Sequence, residues 1–166
     1  MKINEKNYYD KKKNWNFNNF DIISEKLTDW DMYDILNNLS NENSKILDIG
    51  TGGGEQLLEH FPCVKEIVGT DYSSEMIKTA NHNLLKSKRK NIKFRAMDNL
   101  KMDVPMNYYD IIVARNTVID AKQIYDALRD GGYLIVRGVD KYDCHELKLI
   151  FEKGQGVKDS KPISIV

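Results

Sequence analysis

The densest chemical signal in the chain is Ile46-Leu47-Asp48-Ile49-Gly50-Thr51-Gly52-Gly53-Gly54-Glu55. A buried-type apolar run ends at an acid and passes into a turn made almost wholly of glycine. Without Cβ atoms such a turn lets a ligand lie against bare main chain and accepts positive φ. If a helix follows, its free N–H groups face a polar or anionic ligand group. Two patterns compete for the segment. A dinucleotide fingerprint, G-x-G-x-x-G/A, is met only in part, because Glu55 stands where the last small residue belongs and its side chain obstructs close packing. The pattern D-x-G-x-G-x-G is filled completely by Asp48, Gly50, Gly52 and Gly54. Two further acids end later apolar runs: Asp71 after Val68-Gly69-Thr70, and Asp98 after Phe94-Arg95-Ala96-Met97. One carboxylate can accept two hydrogen bonds from a cis-diol, and a carboxylate is also a fitting partner for an exocyclic amine. The plainer readings are a helix N-terminal charge for Asp71 and a turn acid for Asp98.

The set Asp48–Gly54, Val68–Ile77 and Ile92–Asn99, followed by Val104-Pro105 and Tyr109-Asp110, resembles the class I S-adenosylmethionine-dependent methyltransferases. The resemblance implies that Asp48, Gly50, Thr51, Gly52 and Gly54 surround S-adenosyl-L-methionine, with S-adenosyl-L-homocysteine as product. It implies that Asp71 takes both ribose hydroxyls, that Asp98 accepts from the adenine amino group, and that the Asn99 backbone faces a ring nitrogen. Tyr72 is placed to stack on adenine and Met76 to cover its other edge, although Met76 reads equally well as helix core. Ala114 and Arg115 would border the methionine part through their backbone. The side chains of Arg115 and Asn116 are candidate substrate contacts, or else a polar loop with a helix cap. No catalytic residue is assigned, and no metal is expected. A sulfonium methyl is already a strong electrophile, so the protein has to align the acceptor and exclude water. A base is needed only when the acceptor must lose a proton early.

The acceptor is bounded by what is missing. Adenine-amino methyltransferases resembling this chain carry an [Asn/Asp/Ser]-Pro-Pro-aromatic element after the fourth strand, where Arg115-Asn116-Thr117-Val118 stands. Cytosine-carbon enzymes need a cysteine there, and Pro62-Cys63 precedes the second strand instead. A small-molecule acceptor is favoured; RNA and protein acceptors stay open. Two alternatives stand beside the leading reading. One is a nicotinamide-dependent Rossmann oxidoreductase, against which Glu55 and Asp98 count. The other is a non-catalytic S-adenosylmethionine-binding module.

The elements that must position these residues follow from periodicity. Strands are expected at Lys45–Ile49, Glu66–Thr70, Asn91–Ala96, Tyr109–Ala114 and Tyr133–Arg137. Helices are expected over Gly53–Phe61, from Ser73 or Ser74 to Lys88, over Ile119–Leu128 and over Cys144–Phe151, with one or two more between Asp21 and Leu39. Strict alternation of the two implies a Rossmann-like three-layer αβα sandwich around a mostly parallel sheet, with the ligand beyond the carboxyl ends of the strands. Residues 1–43 read as an N-terminal arm and helices, 44–152 as the cofactor-binding core and 153–166 as a tail, one domain overall. Tyr8, Tyr9, Trp15 and Phe17 in the arm are either a lid or simple anchors. The resemblance implies a closing antiparallel hairpin that the tail leaves little room for. The hairpin is expected to be missing or abbreviated, as in a fragment, giving fewer than seven main strands. The exposed last strand would then favour a homodimer.

Composition narrows the rest. With 166 residues the chain is one domain, able to build a core without staples. Lys+Arg and Asp+Glu both number 25, which argues against a dominant polyanion-binding surface while leaving room for a local basic patch. No apolar run approaches the ~20 residues of a membrane helix, and the polar start lacks a signal core, so a cytoplasmic protein with no membrane partner is expected. Cys63 and Cys144 lie far apart and read as free thiols.

Overall fold

The computed structural model describes residues 29–139, 142–146 and 150. Helix α1, Met32–Leu39, starts where the Asp31 carboxylate accepts from the Tyr33 N–H at 2.8 Å. Its residues Met32 and Leu36, one turn apart, are buried. Strand β1, Lys45–Ile49, and helix α2, Glu55–His60, flank the glycine turn. Strand β2, Glu66–Asp71, leads to helix α3, Ser74–Lys86, which is capped by the Ser73 hydroxyl on the Met76 N–H. Strands β3, Ile92–Ala96, and β4, Tyr109–Arg115, precede helix α4, Ala121–Ala127, and strand β5, Leu128–Arg137.

The five strands are all parallel, in the order β3-β2-β1-β4-β5. The period-two side-chain alternation of a strand divides the core cleanly. Ile46, Ile67, Ile111 and Val113 join Leu36 of α1, Leu57 of α2 and Ala80 of α3 on one face. Leu47, Val68, Ile112 and Ala114 join Ile124 and Ala127 of α4 on the other. These are the three layers expected from the alternating pattern. The chain runs outward from β1 through β2 to β3, then returns across β1 to place β4 on its other side. The crossovers therefore diverge between β1 and β4, and a crevice opens at the carboxyl ends of those strands.

Two elements depart from expectation. The helix after β1 starts at Glu55 rather than Gly53, because Gly54 has φ +77° and cannot be helical. The stretch Asp130-Gly131-Gly132, ahead of the strand expected at Tyr133–Arg137, lies inside β5: Gly131, at φ +73°, absorbs a register shift against β4, so the strand is bulged rather than broken. Half of the expected Cys144–Phe151 helix, the aromatic arm residues and the tail that bears on the closing hairpin fall outside the described residues. Among the described residues β5 is the sheet edge, and it leaves Tyr133, Leu134 and Val136 exposed.

At the amino end of β2, Glu66 accepts from the Tyr108 hydroxyl at 2.8 Å and pairs with Lys93 at 3.4 Å. The Tyr108 hydrogen bond, against the opposing effect of burial, holds the Glu66 carboxyl below its usual 4.5. A carboxyl depressed on folding stabilises above its unfolded pKa, and that support is lost as pH falls through the folded value. Glu66→Gln should therefore flatten the acid limb of the stability curve below about pH 5 and lower neutral-pH stability by less than ~1 kcal/mol, since the pair is partly solvated. Urea midpoints from pH 3 to 7 would show it, and parallel curves for the two proteins would count against this account.

Candidate cofactor site

The β1 strand delivers Asp48 to the switch point with no exposed surface at all. Its Oδ2 accepts from Arg115 Nη2 at 2.8 Å, an ion pair joining the ends of β1 and β4. Burial raises the Asp48 pKa, and the Arg115 guanidinium draws it partly back. For Arg115 burial works downward, but the Asp48 charge and hydrogen bond outweigh it and the pKa is raised. Behind the pair stands Tyr33 of α1. Its hydroxyl donates to Gln56 Oε1 at 2.8 Å and receives a long contact from Arg115 Nη1 at 3.5 Å, while its ring stacks on His60 at 4.5 Å. The Arg115 side chain is thus paired with Asp48 and only 11% exposed.

The turn after β1 is shaped by positive φ at Gly50, Gly52 and Gly54. A Cβ at Gly50 would lie 2.8 Å from Thr117 Cβ, and one at Gly54 would lie 2.7 Å from Phe94 Cζ. A Cβ at Gly69 of β2 would lie 2.6 Å from the same Phe94 ring. The glycines thus serve two surfaces: a bare loop above, and below it a floor where Phe94 of β3 presses into spaces that a side chain would fill.

Asp71 closes this loop from β2. Its Oδ2 accepts from the Gly52 N–H and its Oδ1 from the Ser73 N–H, both at 2.9 Å. Each oxygen retains a lone-pair direction for a further donor. Asp98 is half-buried and accepts from the Leu100 N–H at 2.9 Å, an acid closing its own turn. Asn99 is buried, and its amide donates to Thr117 Oγ1 at 2.8 Å, tying the loop after β3 to the loop after β4. Asn116, at φ +50°, is exposed and donates its N–H to the Arg137 carbonyl. Tyr72 is exposed at the rim directly after Asp71. Met76 of α3 is buried, 1% exposed. Thr51 is buried and Ala114 lies in the core at the end of β4.

Four buried polar atoms here lack a hydrogen-bond partner: Asp48 Oδ1, Thr51 Oγ1, Asn99 Oδ1 and Arg115 Nε. Such atoms are rare in a folded chain, and their presence at one strand-end cluster marks polar chemistry beyond packing. Tyr33, Phe94 and Thr117 carried no local signal in the sequence; each acts on a residue far away in the chain. A polar hollow of about 450 Å³, lined by Asn41, Asn43, Lys45, Asn107, Tyr108, Asp110 and Arg129, lies at the opposite ends of the strands. Its two cations are engaged, Lys45 over the Tyr108 ring and Arg129 with Asp110. Among the described residues no group of acids, histidines and cysteines is placed to hold a metal.

The parallel order, the glycine turn and the acids at successive strand ends define the Rossmann-like fold of class I S-adenosylmethionine-dependent methyltransferases. Residues 40–161 match a family described as a methyltransferase domain, and the chain belongs to that family. It is similar to the uncharacterized methyltransferase YcgJ of Bacillus subtilis, 28% identical over 100 residues that make up 55% of this chain and 40% of that protein. It is also similar to the phosphoethanolamine N-methyltransferase of Plasmodium falciparum, 35% identical over 80 residues, 48% of this chain and 29% of that one. The chain therefore spans less than half the length of these curated relatives. Among solved structures, YcgJ superposes with a TM-score of 0.62 at 21% identity, covering 71% of this chain and 57% of that one. A SAM-dependent methyltransferase from Aquifex aeolicus gives 0.58 at 21% identity, over 74% and 77%. Neither fold nor family supports the nicotinamide alternative.

Proposed function

We propose that the chain binds S-adenosyl-L-methionine at the β1–β4 crevice and transfers its methyl group to a small polar molecule. The observation that carries this is the glycine turn itself: three positive-φ glycines, a floor without room for side chains, and Asp71 fastened to the Gly52 N–H. The residues present fit the cofactor. The spare lone pairs of Asp71 suit a ribose diol, and the unpartnered Asp48 oxygen suits a donor such as an ammonium. Asp98 and Asn99 border the place where a purine would follow the ribose, with Tyr72 at its rim. The cofactor, when bound, supplies an electrophilic methyl on a sulfonium. The chain contributes alignment, a low-dielectric wall and neutralisation of Asp48 by Arg115.

The acceptor reading rests on the absence of nucleobase-specific elements after β4 and on the likeness to a phosphoethanolamine enzyme. Calorimetric titration tests the cofactor first. Saturable binding of S-adenosylhomocysteine without NADH binding is expected, and the reverse would overturn the proposal. A cell extract supplied with radiolabelled methyl donor then reports acceptor size: label in small molecules supports the reading, and label in RNA or protein replaces it.

The edge of β5 is proposed as a self-association surface, because Tyr133, Leu134 and Val136 are exposed on a strand that, among the described residues, ends the sheet. Val136→Lys should shift the light-scattering mass from dimer to monomer. A wild-type monomer at high micromolar concentration would rule the surface out.

A further inference from the structure

A net charge of zero conceals an uneven distribution. Between Leu85 and Lys93 the chain reads Leu-Lys-Ser-Lys-Arg-Lys-Asn-Ile-Lys, five cations and no acid. Arg89 works as scaffold: its Nη1 and Nη2 donate to the Phe61 and Pro62 carbonyls at 2.9 and 2.8 Å. Asn91 donates to the Val64 carbonyl at 2.8 Å. The loop after α2 and the loop after α3 are thereby stitched into one platform at the amino ends of β2 and β3. Lys65, Lys86, Lys88 and Lys90 stand exposed on it, and none of them forms an ion pair among the described residues. Leu85 projects among them, 84% exposed.

We infer that this platform docks the protein reversibly on an anionic lipid surface. Clustered lysines on a fixed frame meet a negative bilayer surface, where each contributes a few-fold in affinity, and their stems tolerate the headgroup zone. A lone exposed leucine means little on an ordinary surface, but ringed by lysines it has an apolar layer to enter. Nucleic acid fits less well, since none of the platform's exposed side chains is aromatic and able to stack on a base. The platform also lies at the end of the sheet opposite the glycine turn, so docking leaves the crevice open to water-borne substrates. The sequence-based expectation of no membrane partner drew on apolar run length and the polar start of the chain, and neither reports on a surface of this kind.

Co-sedimentation of the full chain with phosphatidylcholine vesicles, with and without 30 mol% phosphatidylglycerol, tests the inference. Binding is expected only with the anionic lipid and should weaken steeply as salt rises. Lys86→Glu/Lys88→Glu/Lys90→Glu should lose at least tenfold in affinity, and Leu85→Ser several-fold at every salt concentration. Circular dichroism and S-adenosylhomocysteine binding should be unchanged in both. No anionic-lipid binding by the wild type, equal binding by either variant, or binding of duplex or poly(U) RNA without vesicle binding would overturn it.

Discussion

Asp48→Ala is expected to lower unfolding free energy by about 3–5 kcal/mol, a loss typical of leaving one partner of a buried ion pair uncompensated. The physical situation is explicit: Asp48 has no exposed surface, Arg115 is 11% exposed, and Arg115 Nε already lacks a partner. Without the carboxylate the guanidinium keeps its 3.5 Å contact with Tyr33 and its place 5.7 Å over the Phe61 ring, neither of which carries a negative charge. The double replacement Asp48→Leu/Arg115→Met removes both charges and should recover most of the loss, because desolvation is then no longer opposed by half a pair. The double variant should nevertheless fail to bind S-adenosylhomocysteine. Urea unfolding of wild type, single and double variants gives the cycle. A single-variant loss under 0.5 kcal/mol would show that the pair is solvated in solution.

The second large effect concerns Phe94 and the two glycines above it. Gly54→Ala faces both a positive φ and a ring carbon 2.7 Å from the new methyl, whereas Gly69→Ala has no such φ and meets chiefly the ring, at 2.6 Å, with Thr51 Oγ1 at 3.0 Å. Left-handed backbone costs an alanine about 1–2 kcal/mol, and overpacking adds typically 1–3. Gly54→Ala should therefore destabilise by roughly 2–5 kcal/mol and Gly69→Ala by somewhat less. In a Phe94→Leu background the Gly69 penalty should largely vanish, while the backbone part of the Gly54 penalty should persist. Thermal or urea midpoints of the four proteins against Phe94→Leu alone would decide it; equal rescue of both glycines would mean that conformation at Gly54 carries no strain.

The strand and helix order was legible because burial imposes it on local composition. The run Tyr109–Ala114 is apolar since β4 is covered on both faces, and Ser73 precedes α3 because a first turn needs an acceptor. Gly50, Gly52 and Gly54 were legible because nothing else tolerates their φ. The Asp48–Arg115 ion pair was not legible, because its two partners lie 67 residues apart, a separation that no local pattern encodes. Asp130-Gly131-Gly132 has the composition of a turn and forms a bulge instead, because pairing with β4 continues past it. The Phe94 floor was invisible for a related reason: a phenylalanine in a strand looks the same whether it meets another side chain or the absence of one.

The register Ile46↔Ile111 has a consequence for how the molecule comes into being. A growing polypeptide has β1, β2 and β3 to assemble long before the fourth strand exists, and the flank of β1 that will receive it stays bare meanwhile. At ordinary synthesis speeds that interval lasts seconds, long enough for chaperones or stray chains to find the flank. The ligand crevice is therefore completed only when β4 joins the waiting flank of β1, on a half-sheet already built from β1, β2 and β3.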